Sequence, residues 1–195
     1  LDVTSVLDWT TPEDFASADL MLWYSANLKW TEQRGPELDA FLARGGGLVF
    51  LHYAVNGTQW PEALARRIGL AAQIGHTAYR HGPLDVDFRQ APPNPITAGL
   101  RQVHFEDESY WKMIGDPATC RVLGTCVEEG QSWPLFWTVE RGKGKVFCSI
   151  VGHYSWTFDD PFFRTLVLRG AAWAAGEPVD RFQPLVTVGA RLDSE

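Results

Sequence analysis

The residues able to do chemistry fall into two sets, five histidines and one short acidic run. The histidines are His52, His76, His81, His104 and His153, and the run is Glu106-Asp107-Glu108. Three carboxylates so close cannot all be buried without partners. Like charges at this range raise at least one pKa, which brings a carboxylate into general acid or base range near neutral pH. Glu108 and Asp107 are therefore the candidate acid/base groups. A solvated acidic loop fits the same spacing equally well, because perturbed acids mark sites only statistically. Two apolar runs, Leu48-Val49-Phe50-Leu51 and Val146-Phe147-Cys148-Ser149-Ile150-Val151, lead toward His52 and His153. Ligands of parallel α/β sheets bind beyond the carboxyl ends of the strands, so these two histidines enter the candidate set. His76 and His81 stand in a glycine-flanked loop that could fold over the same end, and His76 is taken with them.

Other chemistries lack their residues. No Ser or Cys stands at the strand end in Phe50-Leu51-His52-Tyr53-Ala54, which excludes acyl-enzyme chemistry there. Gly45-Gly46-Gly47 precedes its strand, whereas a dinucleotide fingerprint follows one. No His-x-x-x-His or Cys-x-x-Cys occurs. A divalent metal could be held by scattered His and Glu ligands, but spacing does not indicate one, and the cofactor stays open. Nine tryptophans are unusual for 195 residues. Each alone is more readily core than a sugar-stacking wall. Trp23, Tyr53, Tyr110, Trp111 and Trp156 are the aromatic candidates for lining a sugar site. Exposed tryptophans would also favour self-association.

The elements that must position these groups alternate. Leu20–Tyr24 reads as a buried strand. Thr31–Arg44 reads as a helix, with Leu38, Phe41 and Leu42 at helical spacing, Pro36 in its first turn or kinking it there, and Gly45 as its stop. A strand ending at His52 and a short helix over Pro61–Ile68 follow. Leu84–Phe88 alternates as a half-exposed strand does. Val103–Phe105, Arg121–Val127 and Leu135–Val139 read as further short strands. Glu140–Lys145 reads as a hairpin-like turn before Val146–Val151. The last helix starts at Pro161 behind an Asp160 cap and ends at Gly176. Residues 179–195 read as an extension after a domain over 1–178. Lys plus Arg total 17 against 24 Asp plus Glu, a net charge of −7, so no basic face for nucleic acid is available. No run of about 18 apolar residues could cross a membrane. Three cysteines in no disulfide pattern point to a reducing, cytoplasmic setting.

Several motifs in order resemble the trehalose-utilisation (ThuA-like) family. They are Gly45–Val49 with His52-Tyr53-Ala54, Ile74-Gly75-His76, and Pro95–Leu100 followed by Asp107–Tyr110. Pro134–Thr138, Gly142–Phe147, Gly152-His153 and Asp160–Ala174 complete them. The chain departs from the family pattern with Asn94 in place of His, Tyr154 in place of Asp and Lys145 in place of Arg. The family's opening strand and helix have no counterpart before Leu1. The resemblance implies an α/β, flavodoxin-like (class I glutamine-amidotransferase-like) fold without the amidotransferase cysteine. Its mostly parallel sheet would carry helices on both faces and short antiparallel strands. It also implies an enzyme of carbohydrate metabolism acting on a small sugar, such as a 3-keto-disaccharide like keto-trehalose. The expected chemistry is acid/base work by Glu108 or Asp107 among His52, His76 and His153. The alternative is a non-catalytic carbohydrate-binding or assembly module.

Overall fold

The computed structural model describes residues 1–25 and 29–188. Helix α1 (Pro12–Ser17) leads into strand β1 (Leu20–Trp23), and α2 (Gly35–Ala43) leads into β2 (Gly47–Leu51). Helix α3 (Pro61–Ile68) and the short β3 (Leu70–Ala71) precede a long pair, β4 (Ala78–Asp87) and β5 (Gln102–Trp111). After β6 (Ile114–Gly115) come β7 (Arg121–Glu128), β8 (Gln131–Arg141), β9 (Gly144–Ser149) and α4 (Pro161–Ala174). The α3 bounds are those the sequence predicts. In the 31–44 region a single turn of 3-10 helix over Glu32–Arg34 comes first, and the α-helix starts beside Pro36.

The α/β class stands, but the mostly parallel sheet is corrected. Seven strands run in the order β1-β2-β9-β8-β7-β4-β5. Only β1–β2 and β2–β9 pair in parallel. The neighbours β9–β8, β8–β7, β7–β4 and β4–β5 are antiparallel. The cause is connection length. Parallel neighbours need a crossover of about a dozen residues, whereas β7 and β8 are joined through Glu129-Gly130, both at positive φ. The strands expected to be short are the long ones: β5 extends to Trp111 and β4 begins at Ala78, not Leu84.

Helices cover both faces of the parallel part, as expected. On one face Phe147 of β9 lies against α4, where a Cβ on Gly170 would stand 2.5 Å from its ring. On the other face Gly144 meets Leu42 of α2, and the Cys148 thiol donates to the Ile68 carbonyl of α3. All five residues of β2 are buried. Its Leu, Val and Phe side chains each contribute roughly 1.5–3 kcal/mol of burial. Strand β1 is less buried than its apolar run suggests, with Leu22 48% exposed, because β2 is its only strand neighbour among the described residues.

Asp160 caps α4 by accepting from the Phe162 and Phe163 amides, with Pro161 in the first turn. Beyond α4, the described part of the 179–195 segment folds back. Arg164 donates from Nη2 to the Leu185 carbonyl at 2.8 Å and also to Val188. Residues 189–195 lie outside the described residues.

Candidate functional site

Strands β2 and β9 are parallel neighbours with Leu51 opposite Ser149. Their carboxyl ends therefore lie side by side, and the residues just beyond them meet. His52 Nε2 stands 2.9 Å from His153 Nδ1. His52 occupies φ 51°, a left-handed conformation that few non-glycine residues adopt and that concentrates at functional sites. The carboxylate comes from the far edge of the sheet. The sheet curls until β5 reaches this end, and Glu108 presents its Oε2 to His52 Nε2 at 3.4 Å and to His153 Nδ1 at 3.5 Å.

Hydrogen bonds fix the ring states. His52 Nδ1 lies 2.9 Å from the Ile150 carbonyl. Only a protonated Nδ1 can donate to that oxygen, so Nε2 carries the lone pair of the neutral ring. Burial is the main cause that pushes the His52 pKa down, against the raising influence of the Ile150 bond and of Glu108. Tyr110 donates its hydroxyl to Glu108 Oε2 at 2.9 Å. Burial first, then the Glu108 charge, pushes the Tyr110 phenol far up, so it remains a donor.

Glu108 Oε1 has its own partner. His81 Nε2 lies 2.9 Å away, and His81 Nδ1 lies 2.7 Å from the Tyr154 hydroxyl. The Tyr154 ring stacks on Trp156 at 4.1 Å and 12°. A line of polar contacts thus runs from a buried carboxylate, through a half-exposed imidazole, to a phenol backed by an exposed indole. Trp156 is 54% exposed and is held by its Nε1 donating to the Glu106 carbonyl.

The sequence candidates divide. His52, His153, Glu108 and Tyr110 converge, and Tyr53 borders them with its ring 6.4 Å from that of His52. Trp156 stands at the rim. Asp107 does not share the Glu108 face, because successive strand residues point to opposite sides. Its fully buried carboxylate accepts from the amides of Glu108, Gly152 and His153 and from the Thr157 hydroxyl. It thereby pins the segment carrying His153 against β5. His76 is exposed in the loop before β4 and is not gathered. Trp23 packs on Phe50 and Trp9, and Trp111 is buried. The tryptophan surplus is mostly packing, since only Trp156 of the nine is exposed.

Two members are additions to the sequence candidates. His81 lies in β4, directly opposite Glu108, rather than in a loop. Extending the Leu84–Phe88 alternation upstream would have placed it on the face of Asp85. Tyr154 had a signal too, as the departure from Asp after His153.

His52 Nε2, His153 Nδ1 and a Glu108 oxygen lie within 4.8 Å of one another, close enough to share a cation. No thiol joins them. Cys126 is pushed up to about 12 by burial and by Glu128, and the Cys148 thiol is likewise raised by burial. A hollow of about 750 Å3 lined by Arg80, Asp85, Arg89 and Gln102 lies apart from the cluster, as does one of about 460 Å3 around Pro92–Leu100. No helix among the described residues is long and apolar enough to cross a membrane.

Fold and site define an α/β protein with a histidine–carboxylate cluster at the carboxyl ends of its parallel strands. The family model for ThuA, trehalose utilisation, matches residues 1–174, and the chain belongs to that family. Membership implies a role in carbohydrate metabolism. Among solved structures, a ThuA-like protein from Parabacteroides merdae is 26% identical, with a TM-score of 0.68 over 84% of this chain and 73% of that one. A ThuA-like protein from Bacteroides uniformis, 17% identical, gives 0.63 over 84% and 71%. A cytoplasmic protein from Salmonella typhimurium, 15% identical, gives 0.55 over 87% and 75%. The last two show likeness of fold alone. A search of the curated proteins finds no match.

Proposed function

We propose that this chain is an enzyme acting on a small sugar that carries a ring carbonyl, such as a 3-keto-disaccharide of the keto-trehalose type. The carbonyl acidifies the C–H beside it. Removing that proton while the carbonyl oxygen takes one up gives an enediol, and returning a proton to the former carbonyl carbon while the neighbouring hydroxyl gives up its own completes an isomerisation. Nothing is oxidised overall and no co-reactant is consumed. The reaction needs a group that moves a proton and a donor at the carbonyl oxygen.

The observation that carries this reading is the sharing of the Glu108 carboxylate. One oxygen faces His52, His153 and Tyr110, and the other faces His81. In this assignment Glu108 with His81 moves the proton, and the partly exposed His153 faces the carbonyl oxygen, while His52, whose Nε2 holds a lone pair, orients the His153 ring. Asp107 positions His153, while the Tyr154–Trp156 stack offers an exposed flat surface to a sugar face. The reading as a non-catalytic binding module draws less support, because of the nine tryptophans three are buried, five are half-buried and one, Trp156, is exposed.

The test is turnover of a 3-keto-glucoside or 3-keto-trehalose. The wild-type protein should convert it, and Glu108→Gln should be slower by about 10²–10⁴-fold. Equal rates in the two proteins, or no turnover by the wild type, would reject the assignment.

A further inference from the structure

We propose that His52 Nε2, His153 Nδ1 and one carboxylate oxygen of Glu108 together bind a single first-row divalent transition cation, with Zn2+ the best match. The three atoms are separated by 2.9, 3.4 and 3.5 Å. Donors bonded to one ion at about 2.1 Å stand roughly 3.0 Å apart at right angles and roughly 3.4 Å apart at tetrahedral angles. The cluster therefore already has the spacing of a ligand set. A point equidistant from the three atoms lies about 1.9 Å from each, so bonds of about 2.0–2.2 Å need only a small outward step of the ion.

The surroundings suit the role. Metal-bound imidazoles commonly donate their other nitrogen to a carbonyl or carboxylate, which fixes ring and tautomer. His52 does this through Nδ1 to Ile150. A ligating carboxylate is in turn held by hydrogen bonds. Glu108 is held by Tyr110 at Oε2 and by His81 at Oε1. Two imidazoles and one carboxylate favour zinc, iron, cobalt or manganese over Mg2+ and Ca2+, which take oxygen ligands. His153 gives its Nδ1 lone pair by carrying its proton on Nε2 instead, on a side chain 36% exposed. The ion is thus reachable from solvent, with coordination positions left for a substrate oxygen.

The role of the ion, though not its binding, rests on the sugar reading. A cation here would take over polarisation of the carbonyl oxygen. Proton movement would then fall to His81, whose Nδ1 faces the Tyr154 hydroxyl.

The experiment uses the full chain, stripped with a chelator, dialysed, and titrated calorimetrically with Zn2+. Co2+ serves as a parallel probe of the ligand field through its visible d–d absorption. The expected result is one ion per chain, weakened at least about 100-fold in Glu108→Gln and in His153→Asn, since even outer-shell changes cost 10–100-fold. His104→Asn and His76→Gln should bind as the wild type does. His104 is the sharper control, because Asp85 and Glu106 flank it and form a rival exposed set. His153→Asn alters an accessible side chain, so unchanged circular dichroism keeps its result a statement about ligation. Absence of stoichiometric binding, undiminished affinity in both ligand variants, or loss in His104→Asn instead would overturn the proposal. No keto-sugar enters this titration, so it stands or falls apart from the turnover assay.

Discussion

Asp107 and Glu108 are adjacent and nearly identical chemically, yet strand pleating gives them opposite faces and different work. Asp107 is sealed by four donors, whereas Glu108 faces the imidazoles. His52 is the residue whose titration follows most directly from burial. Its pKa is held below the ordinary 6.5, first by desolvation. The unfolded chain therefore takes up a proton at a higher pH than the folded one. This contribution to stability is complete above about 6.5 and is lost as pH falls through the lowered folded value. His104 has the opposite sign, raised by Asp85 and Glu106, but it is solvent-exposed and its effect is small. Thermal unfolding of chelator-treated protein should show stability falling below about pH 6.5, with a shallower fall in His52→Gln. Identical slopes in both proteins would show that His52 titrates as a solvated imidazole.

At the scale of elements, α4 meets β9 through a missing side chain. Gly170 interrupts a helix where Ala would gain about 1 kcal/mol in propensity. A Cβ there would stand 2.5 Å from the Phe147 ring, and Phe147 is fully buried. Overpacking of a tight core costs typically 1–3 kcal/mol, so the clash outweighs the propensity. Gly170→Ala should lower the unfolding temperature, and a rise would show that Phe147 has room to move. The same elements show how far the residues alone were informative. Pro161 behind Asp160, Pro61–Ile68, and the runs ending near His52 and His153 were legible because caps, prolines and continuous apolar runs are local signals. The antiparallel majority was less so. The turn at Glu140–Lys145 implies one antiparallel pair, but strands bounded at Val127 and Leu135 hide the two-residue Glu129-Gly130 link that makes another. Gly82 beside His81 looks like a loop breaker in the sequence, yet Gly82 sits inside β4 at φ 120°.

For the whole molecule, the decisive feature is that the sheet curls. Residues 52, 81, 108 and 153 come from four places along the chain, and β5 lies at the opposite edge of the sheet from β1. No periodicity in the sequence encodes that closure. It depends on long-range pairing and on Asp107 clasping the segment after β9. Family membership accounts for a sugar-related role, and the gathering of these side chains is what the proposed chemistry needs. The most direct measurement is histidine side-chain NMR on the wild type and on Glu108→Gln. The imidazole signals of His52, His81 and His153 should all shift in the variant, while those of His76 and His104 stay in place. Unmoved signals for the first three, or equal movement of all five, would contradict a single carboxylate joining them.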